Sequence, residues 1–360
     1  MVTVLSIVGT RPEALKMAPV VLELQSRPGV KSYLCATAQH RFLLDQVLQR
    51  FSLSADFDLN LMRPDQEMTE FLGVALPKLR QVLVQIKPDW MLVQGDTMTT
   101  LAGALAAFYG RIKLGYVEAG LRTGNMMSPF PEEGNRRLVS LLASRLFAPT
   151  GKARENLIKE QFDPAKIVLT GNTIIDALRF IEQQLPEPPL IRGKRVLLLT
   201  AHRRENFGRG LESIFRAVCH LADKFSDIEF IYPVHPNPNV VRAAQRFLSG
   251  NPRVRLIEPL EYVDFIQQLR TAYLVMTDSG GIQEEAPCFG VPVLVLRNET
   301  ERPEAVEAGC ARIVGPDFDN IVEEASRLLQ DESAYRAMAR VASPFGDGKA
   351  SVRIVDAILN

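Results

Sequence analysis

Tryptophan occurs once, cysteine four times, and net charge is absent, 42 basic residues being matched by 42 acidic ones. A zero balance argues against a chain built to grip nucleic acid or an anionic membrane, so any anion it binds has to be met locally. Cys35, Cys219, Cys288 and Cys310 form no CxxC pair. That pattern indicates neither a disulfide framework nor a structural zinc cluster, and it fits a reducing cytoplasm. No two histidines have HExxH spacing, so no metal site is expected. The apolar run Val2 to Val8 has no basic stretch before it and is too short for a signal core or a membrane span, so it reads as a buried first strand.

A hydrophobic share of 46% against 23% charged residues is unlike a disordered chain. At about 150 residues per domain, the 360 residues suffice for two. Val2 to Val8, Lys31 to Thr37 and Asp89 to Gln94 end in small or polar residues and are followed by segments with helical spacing, as in the βα units of a parallel sheet. After the first run, Pro12 suits a helix start, and Leu15, Ala18, Val21 and Leu22 keep one apolar face. KLGYVEAG, RLFAPT and KIVLTGNT continue this series. RVLLLTAHR opens a second, which runs through IEFIYPVHP, VRLIEP, YLVMTDSGG, PVLVLR and ARIVG. Between them IEQQLPEPPLIRGKR, with three prolines, marks a linker. The tail GDGKASVRIVDAILN reads as a loop and a short amphipathic helix returning to the first domain. The expectation is an α/β protein of two doubly wound domains, residues 1–175 plus 347–360 and residues 176–346. Ligands of such sheets sit beyond the carboxyl ends of the strands, and two such domains face each other across a cleft there.

Gly9-Thr10-Arg11-Pro12-Glu13 follows the first strand, with Lys16 one turn further on. Amides at a helix start, a guanidinium and an ammonium suit a phosphate; the alternative is a plain turn with Glu13 and Lys16 paired. TDSGGIQEE, Thr277 to Glu285, is a sharper signal. Two glycines after a strand let the backbone approach a ligand, and the following helix offers unpaired N–H groups, as a diphosphate requires. Glu284 and Glu285 are expected in that helix's first turn, favoured by the macrodipole, with Glu285 preferred as acceptor for a ribose diol. Asp96 in QGDTMTT, Glu118 in YVEAGLRTG and Glu132 in SPFPEEGNRRL follow strands or open a helix. Carboxylates gathered in a cleft raise one another's pKa and make a usable base or acid near neutrality. Their structural alternatives are an N-cap for Asp96, a pair with Arg122 for Glu118, and a first helical turn for Glu132 and Glu133. His202 and His235 end strands of the second series, whereas His220 falls within a helix and His40 opens one. A strand-end histidine beside phosphate serves as donor or acid.

In fixed order, GTRPEALKMAPV, AQHR, VQGDTMTTLAGALAAFYG, VEAGLRTG, SPFPEEGNRRL, GNTIIDAL, HRRENFGRG, YPVHPNPNV, TDSGGIQEEAP and ERPEAV resemble the bacterial non-hydrolysing UDP-N-acetylglucosamine 2-epimerases nearly end to end. The resemblance implies a GT-B type fold, two Rossmann-like parallel-sheet domains facing across a deep cleft. It implies reversible conversion of UDP-N-acetylglucosamine to UDP-N-acetylmannosamine, by elimination of UDP to 2-acetamidoglucal and re-addition on the other face. Further implications are a UDP-sugar as binding partner, no NAD or other cofactor, no metal, and a cytoplasmic homodimer supplying precursors of cell-surface polysaccharide.

Carried over position by position, Asp96, Glu118 and Glu132 match the family's catalytic acids, and which of them abstracts the C2 proton stays open. Arg11, Lys16 and His202 match residues that contact the diphosphate or assist its departure. Ser279, Gly280, Gly281 and Glu285 match the phosphate and ribose site, Phe265 and Arg302 further nucleotide contacts, and His235 a histidine near the sugar. Leu260 stands where relatives often carry a glutamine that reaches uracil, which leaves base recognition to main-chain atoms. Gln39 of the family's activator site is kept, but Phe42 and Asp65 replace its expected glutamine and arginine, so that site is not expected in the same form. Competing readings are a hydrolysing relative, a GT-B glycosyltransferase with a UDP-sugar donor, and a nucleotide-sugar sensor without turnover. The transferase needs no set of three carboxylates in the first domain, and their retention also argues against the sensor.

Overall fold

Strands of a parallel sheet covered by helices are buried on both faces and read as continuous apolar runs. WMLVQ and LVMT are such runs, and every residue of both is buried in the computed structural model. It describes residues 1–37, 41–63, 66–187 and 193–360, without the side chains of residues 41–43. Gln39, His40 and Asp65 therefore lie outside the described residues, as does the side chain of Phe42.

The chain divides into two compact units, Met1–Phe180 with Phe345–Asn360, and Ile181–Pro344. In the first, β1 (Val2–Val8), β2 (Val30–Ala36), β3 (Phe57–Asp58), β4 (Trp90–Gln94), β5 (Lys113–Val117), β6 (Arg145–Ala148) and β7 (Ile167–Leu169) form one sheet in the order β3-β2-β1-β4-β5-β6-β7. All neighbours are parallel, with Val4 opposite Trp90 and Gln94 opposite Val117. In the second, β8 (Arg195–Thr200), β9 (Ile228–Pro233), β10 (Val254–Ile257), β11 (Leu274–Thr277), β12 (Val293–Val295) and β13 (Ala311–Ile313) run in the order β10-β9-β8-β11-β12-β13. These too are parallel, with Thr200 opposite Thr277. Both units are Rossmann-like, the two components of the GT-B class that the sequence implies.

The first core gathers Leu5, Ile7, Met91, Val93, Leu114, Tyr116 and Leu146; the second gathers Leu197, Leu199, Phe230, Tyr232, Leu274 and Met276. Fully burying one such side chain is worth about 1.5–3 kcal/mol. The division between units falls inside the helix Thr173–Glu182, where Phe180 stacks on Phe51 at 4.7 Å. The last helix, Ala350–Leu359, belongs to the first unit. Buried Asp176 caps its start, accepting from the N–H of Ala350 at 3.1 Å and from the N–H and Oγ of Ser351 at 2.8 and 2.6 Å. Among the described residues no helix is long and apolar enough to cross a membrane.

Each sheet reverses its strand order once, between β1 and β4 in the first unit and between β8 and β11 in the second. Open α/β sheets bind ligands outside the carboxyl ends of the strands at such reversals.

Candidate active site

At the first reversal, β1 is followed by Gly9. A Cβ there would lie 2.2 Å from Thr99 Oγ1 and 2.5 Å from Thr37 Oγ1, hydroxyls that bond each other at 2.8 Å, so only glycine fits. Thr10 caps the helix Arg11–Ser26 in a capping box with Glu13. The buried Glu13 carboxylate accepts from the N–H groups of Gly9 at 2.7 Å and Thr10 at 2.8 Å, and from the hydroxyls of Thr97 and Thr100 beyond β4. Burial pushes its pKa up against those hydrogen bonds. The Gly9 and Thr10 amides expected to meet a phosphate are thus already taken by a side-chain anion. Beside them stand the half-buried Arg11 at the helix start and Lys16.

Lys16 does not pair with Glu13. Its Nζ meets Glu118 Oε1, while Gln94 Nε2 donates to Glu118 Oε2. Glu118, one residue past β5, is buried with φ +68°, a left-handed conformation that costs a non-glycine residue of order 1–3 kcal/mol and recurs at functional sites. The turn continues through Gly120 at φ +93°, where a Cβ would sit 2.2 Å from the Ala153 carbonyl oxygen. Arg122 is not the partner of Glu118 either; its Nη2 pairs with Glu160 at 2.8 Å.

Asp96, beyond β4, is not an N-cap. Thr97 fills that place in the helix Met98–Gly110, and Asp96 pairs with Arg136 at 2.8 Å while Asn135 Nδ2 donates to its carbonyl at 2.8 Å. Glu132 opens the helix Glu132–Leu142, and its Oε2 is buried with no hydrogen-bond partner among the described residues. Buried Glu133 beside it accepts from the Thr123 N–H at 3.0 Å and pairs with Arg136 and Arg137. Burial alone pushes Glu133 up, but these donors outweigh it and hold the pKa below the usual range. Tyr116 donates to the Gly95 carbonyl at 2.9 Å, and burial, the Asp96 charge and, less strongly, that of Glu118 raise its phenol pKa. Asp96 and Glu118 therefore flank one ring, but each is met by its own cation rather than by the other carboxylate. Each pair joins segments that follow two different strands, Lys16 with Glu118 and Arg136 with Asp96.

At the second reversal, the Thr200 and Thr277 hydroxyls bond at 2.6 Å. Asp278 follows β11 fully buried; its Oδ2 accepts from the N–H groups of His202 and Arg203, both at 2.8 Å, and from Asn206 Nδ2 at 3.1 Å. The His202 ring stacks on that of His235, centroids 5.1 Å apart at 10°. Burial lowers the His202 pKa; Asp278 opposes this, and His235 and Arg203 reinforce it. His235 Nδ1 accepts from the Asn237 N–H at 3.1 Å. His220 lies in the helix Arg209–Lys224, edge-on to Phe318, away from both reversals.

Ser279 is the N-cap of the short helix Gly280–Glu285 and makes no side-chain cap hydrogen bond, and Gly281 is exposed. Because this helix opens at Gly280, Glu284 and Glu285 lie at its far end rather than in its first turn, so the macrodipole explains neither. Glu284 is held by Arg302 Nε, and Glu285 Oε1 accepts from the Tyr262 hydroxyl at 2.9 Å. Phe265 sits half-buried in the helix Tyr262–Thr271. Gln94, Arg136, Tyr262 and Asp278 are contacts the sequence reading missed. Gln94, Arg136 and Asp278 lie inside VQGD, EEGNRRL and TDSGG, and only their partners reveal what they do. Among the described residues no three His, Cys, Asp or Glu side chains are grouped to hold a metal ion.

A family model described as UDP-N-acetylglucosamine 2-epimerase matches residues 22–359. UDP-N-acetylglucosamine 2-epimerase of Escherichia coli strain K12 is 50% identical over 99% of this chain and 98% of that protein. The enzyme of that name from Bacillus subtilis strain 168 is also 50% identical, over 99% and 94%. The crystal structure of UDP-GlcNAc 2-epimerase from Neisseria meningitidis bound to UDP-GlcNAc aligns with a TM-score of 0.90 at 47% identity, covering 99% of both chains.

Proposed function

The chain belongs to the UDP-N-acetylglucosamine 2-epimerase family, and from that premise we propose that it interconverts UDP-N-acetylglucosamine and UDP-N-acetylmannosamine by eliminating UDP and adding it back, without hydrolysis. The C2 proton is weakly acidic, so its removal as the C1–O bond breaks needs a placed carboxylate and stabilisation of the departing diphosphate. Asp96, Glu118 and Glu132 supply the proton transfers. Arg11, Lys16 and His202 meet charge on the departing group. The Ser279 hydroxyl and the amides of Gly280 and Gly281, with Phe265 and Arg302, hold the nucleotide, the Ser279 amide being taken by Thr277 Oγ1 at 2.9 Å; Glu285 takes the ribose diol, and His235 lies toward the sugar. The observation that carries the reading is the carboxylate set of the first unit, with Glu118 in a left-handed turn between Lys16 and Gln94 and one buried Glu132 oxygen unpartnered among the described residues. A UDP-sugar transferase needs neither feature.

The proposal extends to a cytoplasmic homodimer feeding cell-surface polysaccharide synthesis. Exposed Phe108, Tyr109, Leu138 and Leu141 on two neighbouring helices of the first unit support self-association. Sedimentation equilibrium should then return a mass near twice 40.1 kDa. The direct test of the reaction is proton NMR with UDP-N-acetylglucosamine in D2O, no NAD or metal added. UDP-N-acetylmannosamine should appear and both epimers take deuterium at C2. Accumulation of free N-acetylmannosamine and UDP would replace this reading with the hydrolysing one.

A further inference from the structure

The second unit contains one fully buried carboxylate at its strand reversal, and nothing in the reaction above uses it. Asp278 collects three donors on Oδ2, two of them backbone N–H groups of the residues directly after β8. Oδ1 accepts no hydrogen bond among the described residues and lies 3.4 Å from His202 Nδ1, ion-pair distance rather than a formed hydrogen bond. The loop it clamps is held twice more: the Tyr232 hydroxyl donates to the Ala201 carbonyl at 2.7 Å, and Asn206 Nδ2 reaches the Leu296 carbonyl at 3.1 Å. A buried carboxylate with a free oxygen is costly unless a cation or donor satisfies it, and the nearest ring donor is the His202 imidazole.

We propose that Asp278 is the positioning residue of His202. Its carboxylate fixes the loop through the His202 and Arg203 amides and turns the imidazole so that the Nδ1 proton faces Oδ1, leaving Nε2 as the nitrogen that exchanges a proton with a ligand. Only the consequence for turnover rests on the proposed reaction; the state of the imidazole does not. The groups facing His202 are Asp278 beyond β11, His235 beyond β9 and its neighbour Arg203. Asp278 in turn feels Arg297, which is shared with Glu205 at 2.5 Å and Glu301 at 3.7 Å. Because Asp278 is the one anion among the described residues that faces the ring, removing its charge makes the imidazolium harder to form.

Nitrogen-15 imidazole NMR on the full chain reads this directly, since there are four histidines and the spectrum of His202→Gln identifies the signal it lacks. Neutral His202 should carry its proton on Nδ1. In Asp278→Asn its titration midpoint should fall by about 1 pH unit or more, the effect of losing an adjacent opposite charge. Turnover should drop by on the order of 10²-fold or more, as when a carboxylate behind a working histidine is neutralised, yet change little when the same substitution is made in His202→Gln. A clamp that merely holds the loop would weaken folding or UDP binding and leave the midpoint where it was. An unmoved midpoint in folded Asp278→Asn, or a wild-type tautomer protonated on Nε2, overturns the proposal. If Asp278→Asn does not fold, the wild-type tautomer alone decides. A chain silent on UDP-N-acetylglucosamine but showing the Nδ1 tautomer and the shifted midpoint would sink the epimerase reading and leave this one standing.

Discussion

The two strand reversals share a topology and differ in what stands at the helix that follows. After β1, the helix start is closed: Glu13 occupies the Gly9 and Thr10 amides and is itself held by Thr97 and Thr100. After β11, the helix start at Ser279 has no side-chain cap, and the nearby carboxylate, Asp278, turns instead to the loop after β8. The first reversal therefore offers side chains, carboxylates matched with Lys16 and Arg136, and the second offers amides and imidazoles. The same winding selects where a ligand is met, while one capping carboxylate decides whether backbone or side chains meet it.

Five experiments break or sharpen this contrast, taken from the largest effect. Glu118→Gln keeps the shape but removes the charge between Lys16 and Gln94, so turnover should fall by about 10²–10⁴-fold while UDP affinity by calorimetry stays nearly constant. Unchanged turnover removes Glu118 from the mechanism. Next in size is a pair of glycine substitutions. Gly9→Ala drives a Cβ against Thr99 and Thr37 and should cost about 1–3 kcal/mol in urea unfolding, because the closed reversal has no room. At Gly281 a Cβ meets nothing within 4 Å, so Gly281→Ala should leave unfolding unchanged yet weaken UDP binding. Equal behaviour of the two variants would erase the distinction between a packed and a ligand-facing start.

Tyr262→Phe removes one donor from Glu285 Oε1, and UDP affinity should change by about 1 kcal/mol, whereas UDP affinity unaffected by the change would detach Glu285 from the ribose. Smallest is a pH effect in the first unit's tail. The hydrogen bond from Arg353 holds Asp347 at a pKa of about 2. A depressed carboxylate stabilises the fold above its ordinary value of 3.8, and that contribution disappears as pH falls from there toward 2. The pair is half exposed and screened, so Asp347→Asn should remove under about 0.5 kcal/mol of acid sensitivity in unfolding measured across that window. Glu13 works with the opposite sign. Its raised pKa means the stability it adds is complete below 4.5 and is lost as pH climbs, so Glu13→Gln should flatten that slope.

Strands, their parallel arrangement and the loops that matter are determined by local pattern. VTVLSIV is apolar because both sheet faces are covered, and GTRPE, QGDT, TAHR and TDSGG follow strands because a chain leaving a buried sheet must become polar or small. Element ends were legible for the same reason, β1 most closely, with Val2–Val8 as expected. Pairing was not. Lys16 chooses Glu118, 102 positions away, over Glu13 within reach on its own helix, because Glu13 is consumed by amides that a neighbour-based reading leaves free. Asp96 takes Arg136, 40 positions on, and Arg122 takes Glu160 instead of Glu118. Sequence determined which charges stand at the strand ends; only the tertiary structure decided which are neutralised by which, since charge pairing is set by distance and burial in space, neither of which is written in separation along the chain.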